Sequence, residues 1–145
     1  YALPILIKEK IPATQFVHTG FVGSKVGRPK MDWNQLSTSI KTGLVSVGSQ
    51  TVTHPADITK LKTSAIRTEL IKSAETIGAE LGRAAPYFAY PNGKFNSAVA
   101  GEVKRAGYRM AFTEECLPLE SAKSPFLVPR YVHTKMRQAF ADCKD

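Results

Sequence analysis

Gln50 and His54 stand four residues apart in the stretch LVSVGSQTVTHPADITKL, which opens at Leu44. Its first four residues form a short apolar run that reads as a buried strand, and Gly48 and Ser49 then break it. Gln50, Thr51, Thr53 and His54 follow, and Pro55 ends the segment. A strand that ends in a glycine turn and then presents polar side chains is where α/β proteins place ligand sites. His54 is therefore a candidate site residue; the plainer alternative is a loop histidine bonded to its neighbours. Gln50 reads as a polar lining residue. Tyr90-Pro91-Asn92-Gly93 carries a strong turn signal and is either a tight turn or a site wall. His18 follows a predicted strand and faces either a site or solvent, and a satisfied surface histidine is the simpler reading. Asp57 suits a helix-initiating role better than that of a catalytic acid.

The elements that must position these residues alternate along the chain. Leu3, Leu6 and Ile7 fall at helical spacing, and 13–17 reads as a strand leading to His18. Three glycines, a proline and three basic residues make 20–30 a loop. Asp32, with Gln35 three residues on, is a capping-box pattern. The helix it opens carries Trp33, Leu36 and Ile40 on one face and stops at Gly43. Trp33 reads as core. The strand at 44–47 follows, and Ser64 is a suitable cap for a longer helix to Leu81, with Ile66, Leu70, Ala74, Ile77 and Leu81 as its apolar stripe. A strand over 87–90 leads to the turn. Asn96 caps another helix, and strands at 108–113 and 126–128 flank a loop over 114–124. A terminal helix is expected over 134–142. Short connections between alternating helices and strands predict a parallel α/β sheet with crossover helices. About five strands are too few for an eight-stranded barrel.

The 145 residues suffice for a single domain, 1–145, with a real core. Hydrophobic residues at 43% and charged residues at 22% are ordinary for a soluble globular chain. No apolar run approaches transmembrane length, and no signal peptide is evident. The chain starts at Tyr1 rather than Met, as expected of a processed product, a fragment or the ordered part of something longer. The net charge is +8. Its basic residues, such as Lys8, Lys25, Arg28, Lys60 and Lys104, are dispersed and not interleaved with aromatics, which argues against a nucleic-acid partner. Cys116 and Cys143 lack metal-type spacing and either pair as a disulfide or stay free.

Several blocks resemble the polysaccharide deacetylase family (the NodB-homology domain of carbohydrate esterase family 4), and in the family's order. They are ALPILIKEKIPATQFV, MDWNQL, VGSQTVTHPADITKL, FAYPNGKFNSAVAGEVKRAGYRMAFT and FLVPR. The resemblance implies an incomplete or distorted (β/α) barrel. It also implies a divalent metal, commonly zinc, held by one Asp and two His. That metal activates water to remove acetyl groups from N- or O-acetylated sugars. His54 takes the place of one metal histidine and Gln50 that of the other. A Gln amide offers a neutral oxygen, a poor substitute for imidazole on zinc. The first motif, with both aspartates, is expected before Tyr1. In the third motif Phe88, Pro91 and Gly93 match, and with Tyr90 they are implied to bind substrate. Asn92 stands where many members carry Tyr, at the position whose backbone N–H stabilises the oxyanion. Ala89 stands where many carry an Arg. No Leu-x-x-His motif follows, so His133 is the nearest candidate for the general acid.

The resemblance thus implies a secreted, periplasmic or cell-surface hydrolase acting on an acetylated polysaccharide. The alternative is an impaired homologue that binds glycan or another protein. One clear imidazole cannot hold a catalytic zinc, so weak zinc binding is expected of this chain alone. A barrel lacking its leading strand exposes an edge, which implies pairing with another copy or another segment.

Overall fold

The computed structural model describes residues 2–142. Helix α1 (Ala2–Lys8) leads into strand β1 (Ala13–Val17), and α2 (Trp33–Lys41) into β2 (Val45–Ser49). The long helix α3 (Thr63–Leu81) precedes β3 (Tyr87–Ala89), and α4 (Ser97–Arg105) precedes β4 (Met110–Phe112). Helix α5 (Met136–Asp142) comes last. All pairs are parallel, in the order β1-β2-β3-β4. Each strand lies beside its sequence neighbour across a helical crossover, as the alternating pattern predicts.

Local signals account for most element ends. Asp32 and Gln35 form both halves of the capping box, through Gln35 N–H to Asp32 Oδ1 (2.8 Å) and Asp32 N–H to Gln35 Oε1 (3.0 Å). The Asn96 side chain accepts from Val99 N–H at 2.9 Å. Gly82 ends α3 in the left-handed region at φ 65°. Asp57 opens a short 3-10 turn by accepting from Thr59 N–H.

Four expectations shift. Helix α3 begins at Thr63 with Lys62 at the cap position, and Ser64 lies within it. The β2 strand runs on through Gly48 and Ser49, because both residues keep the register with β1. Val128 contributes an isolated parallel bridge to Phe112 rather than a fifth full strand, since Pro125 and Pro129 flank it and lack N–H donors. The terminal helix starts as a 3-10 turn over His133–Lys135 before α5. Cys143 lies outside the described residues, and among them Cys116 is a free thiol.

Two apolar clusters bind the helices to the outer face of the sheet. One joins Ile58, Ile66, Leu70, Phe88, Tyr90, Val99, Val103, Tyr108 and Ala111. The other joins Leu36, Val47, Ile77 and Ala85, with Trp33 and Ile40 packed partly buried against it. The α3 stripe predicted from helical spacing thus supplies both clusters.

The inner face shows how strongly the sheet curls. Neighbouring strands lie ~4.8 Å apart, so a flat sheet would hold β1 and β4 about 14 Å apart. Yet the rings of Phe16 on β1 and Phe112 on β4 have centroids only 5.4 Å apart. The guanidinium of Arg130 lies 5.4 Å above the Phe16 ring and donates to Thr113 O at 3.1 Å. The four strands therefore form an arc, an open barrel segment rather than a closed one.

Gly48 permits that arc. A Cβ there would meet the Phe16 ring at 2.6 Å and Tyr87 O at 2.8 Å. The second contact is backbone and cannot give way. We expect Gly48→Ala to destabilise the fold by about 2 kcal/mol through overpacking, seen as a lower urea midpoint with an unchanged m-value.

Candidate functional site

The C-terminal ends of β1, β2 and β3 carry the candidate residues. Past Ser49 the chain turns sharply. Thr51 is fully buried and adopts φ 69°, a left-handed conformation unusual for a β-branched residue, and His54 adopts φ 52°. Such strain costs about 1–3 kcal/mol per residue and persists only where surrounding bonds impose it.

Those bonds are present. Thr51 N–H donates to Ser49 Oγ (3.1 Å), and Thr51 Oγ1 donates to Gln50 O (2.5 Å) while accepting from His54 N–H (3.0 Å). Ser49 Oγ meets Ser73 Oγ on α3 at 2.6 Å, and Ser73 Oγ lies 3.1 Å from the Tyr108 hydroxyl. Burial pushes the Tyr108 hydroxyl above its usual pKa, so it stays protonated and donates to Leu70 O at 2.9 Å.

Glu69, also on α3, grips the loop directly. Its Oε2 accepts from Val52 N–H (2.8 Å) and Thr53 N–H (2.9 Å), and its Oε1 accepts from the Thr53 hydroxyl (2.7 Å). Bonds to an ionised carboxylate are stronger than neutral ones. Glu69 was missed in the sequence because its partners lie 16 and 17 residues away. The available signal was a small polar residue, Ser73, on the buried side of α3 between Leu70 and Ile77, one turn from Glu69.

The β1 end joins the same loop. Gln50 N–H donates to Val17 O (2.8 Å), Thr19 N–H to Thr51 O (3.1 Å) and Gly20 N–H to Val52 O (3.0 Å). This brings His18 beside His54, with ring centroids 4.8 Å apart and planes inclined by 45°. The surface reading of His18 is corrected here: the ring is half-buried, packed edge-on against Phe21. Burial, followed by His54 and Lys30, holds its pKa below the usual histidine value. His18 also lines a cleft of about 280 Å³ with Phe21, Lys30 and Met31.

The third-motif turn sits next to the loop. Asn92 adopts φ 52° and its Nδ2 donates to Ala56 O at 3.1 Å, linking the turn to the His54 segment. Gly93 adopts φ 65°, and a Cβ there would meet Glu114 Cβ at 2.9 Å. Phe88 and Tyr90 are 0% exposed. Their side chains are core, with the Tyr90 hydroxyl donating to Phe126 O at 2.9 Å, so they support the wall rather than present a surface to a ligand. Pro91 is likewise buried. His133 is exposed, and among the described residues no hydrogen bond or ring contact joins it to Gln50, His54 or Asn92.

The donor set does not match a three-ligand metal centre. Gln50 and His54 occupy the two positions the resemblance gives to imidazoles. Among the described residues no three His, Cys, Asp or Glu side chains gather where they would hold an ion. His54 and the neutral amide of Gln50, even with the His18 ring alongside, fall short of the usual three protein ligands of catalytic zinc.

A family model described as polysaccharide deacetylase matches residues 1–111. The poly-β-1,6-N-acetyl-D-glucosamine N-deacetylase of Staphylococcus aureus is 30% identical over 143 residues, covering 89% of this chain and 48% of its own length. The chain thus spans about half the length of the curated relatives it matches. IcaB from Ammonifex degensii superposes with a TM-score of 0.79 at 27% identity, over 97% of this chain and 65% of that one. The Streptococcus pyogenes deacetylase PplD, solved with acetate, shares the fold at a TM-score of 0.87 and 22% identity, over 99% of this chain and 64% of its own.

Removing the Glu69 carboxylate tests what holds the loop. We expect Glu69→Ala to cost about 2 kcal/mol in urea unfolding. Amide exchange at Val52 and Thr53 accelerates in the variant, while the α3 amides keep their relative protection.

Proposed function

Because the chain belongs to the polysaccharide deacetylase family, we propose that it acts on an acetylated polysaccharide, removing acetyl groups from N- or O-acetylated sugars. The observation that supports this most directly is the convergence of the His54 loop and the Pro91–Gly93 turn, tied by the bond from Asn92 to Ala56. The poly-N-acetylglucosamine deacetylase among the relatives makes a β-1,6-linked N-acetylglucosamine polymer the first substrate to try. Secretion to the periplasm or cell surface follows from such a substrate.

In this reading the acetyl group lies between His54 and the turn. Water adds to the acetyl carbonyl, and the negative charge that develops on oxygen calls for fixed N–H donors. The Asn92 side chain is already engaged with Ala56 O, so its backbone N–H is the group offered to that oxygen. The attacking water gives its proton to a base, which the family assigns to an aspartate of its first motif, and the departing amine takes a proton. His133 is the sequence candidate for that donor, though it is exposed and shares no hydrogen bond or ring contact with His54 or Asn92 among the described residues. Family members are generally metal-dependent. The divalent ion expected from the family, zinc first, would require donors beyond Gln50 and His54.

Gln50 favours a second reading, in which the domain holds glycan without hydrolysing it. A neutral amide in an imidazole's place weakens metal chemistry far more than it weakens sugar binding, which relies on neutral hydrogen-bond donors and acceptors.

The test uses β-1,6-linked N-acetylglucosamine oligomers, following released acetate and new free amines with and without added zinc. We expect acetate release that falls at least about tenfold in His54→Ala. Glycan binding without release by the wild type would establish the second reading. Neither binding nor release, with these oligomers or with O-acetylated ones, would overturn both.

A further inference from the structure

We propose that Arg130 and Glu114 form a sugar-binding pair on the inner face of the arc, gripping one hydroxyl of the glycan from two sides. The proposal rests on the reading of the chain as one that engages acetylated polysaccharide, whether it hydrolyses the polymer or only holds it.

The strand ends set the place. All four strands are parallel, so their C-terminal ends lie together. Phe16 stands one residue before the end of β1, and Thr113 comes just past the end of β4. Arg130 spans these two points. Its guanidinium lies over the Phe16 ring at 5.4 Å, and its Nε–H donates to Thr113 O at 3.1 Å. It therefore sits at the same end of the sheet as the His54 loop and the Pro91–Gly93 turn. Glu114 reaches that turn directly. A Cβ on Gly93 would meet Glu114 Cβ at 2.9 Å and Glu114 N at 3.4 Å, so Glu114 packs there only because the glycine is bare.

Two observations point to a ligand rather than a closed ion pair. Arg130 Nη2 lies 3.6 Å from Glu114 Oε1, longer than a hydrogen bond. Among the described residues, neither the terminal nitrogens of Arg130 nor the Glu114 carboxylate makes a hydrogen bond, so donors and acceptors are left unspent. Both side chains are also reachable, each 33% exposed. Burial lowers the Arg130 pKa, but arginine titrates so far above neutrality that the guanidinium stays charged.

The pairing selects the chemistry of the ligand. A lone guanidinium suits a carboxylate or a phosphate. With a carboxylate beside it the pair is close to neutral, and an anion would meet repulsion from Glu114 as a cation would from Arg130. A hydroxyl both donates and accepts. One sugar oxygen can accept from Arg130 Nη2 while its hydrogen goes to Glu114 Oε1, filling the gap that the two side chains leave open. The Phe16 ring and Thr113 O hold the guanidinium in place beforehand, so less entropy is lost on binding. Because Glu114 abuts the turn beside which the acetyl group lies, the hydroxyl belongs to the sugar unit at the site.

The test is titration calorimetry of the full chain with β-1,6-linked N-acetylglucosamine oligomers, with the folding of each variant checked by urea unfolding. Arg130→Met keeps an unbranched stem on Phe16 but removes the donors, and should weaken binding at least about tenfold. Glu114→Gln removes only the charge. It should weaken binding at least about threefold and leave the urea midpoint unchanged. The exposed Glu120→Gln should bind as wild type. Since one hydroxyl bridges both groups, the double variant should lose less than the product of the two single losses. Should Arg130→Met not fold, Arg130→Lys keeps the charge without the fork and gives the same comparison. Wild-type affinity in the folded Arg130 and Glu114 variants, equal weakening by Glu120→Gln, or fully multiplicative losses would each overturn the proposal while the glycan reading stands. A wild type that binds neither these oligomers nor O-acetylated ones fails the glycan reading itself, and the pair falls with it.

Discussion

The missing side chain of Gly48 is the constraint on which the sheet depends. Phe16 occupies the space a Cβ would fill, and this lets β1 fold inward until its ring reaches Phe112 on β4. Without that arc the strand ends would fan apart. His18 follows Phe16 by two residues, and the Gln50 to His54 segment follows Gly48 by the same interval. The close approach that curls the sheet therefore also brings the two histidine-bearing segments together.

A second constraint acts outside the arc. Helix α3 packs on the sheet through Ile66, Leu70 and Ile77 and presents Glu69 and Ser73 to the strained turn beyond β2. The apolar stripe and the polar clasp belong to one helix, so packing energy is transmitted to the loop. Thr51 can remain buried at a positive φ because its hydroxyl, amide and carbonyl are all engaged.

What the sequence revealed was local. The capping box at Asp32 and Gln35, the Asn96 cap and the α3 stripe all involve residues within a few turns of each other, and each is seen in the structure. The start of α3 lies two residues before the predicted cap Ser64, at Lys62, whose side chain makes no capping hydrogen bond and so leaves no local signal to read. Phe88 and Tyr90 matched a motif, but a motif does not state which face a strand residue takes. Strand alternation sends Phe88 to the helices, and Tyr90 follows it into the same core. Glu69 and the pairing of His18 with His54 are set by contacts 16 or more residues apart, for which no local pattern exists. The same holds for the curl, which only Gly48 hinted at, and there the glycine read as a break.

The two margins of the sheet are unlike. Beyond β4, the Val128 bridge is bracketed by Pro125 and Pro129, which cannot donate to a further ladder. Beyond β1, the outer backbone carries no strand among the described residues. Among the described residues, then, the ladder is hemmed by proline on the β4 side, and the outer backbone of β1 is the place where a further strand, from this chain or another, would add to the sheet.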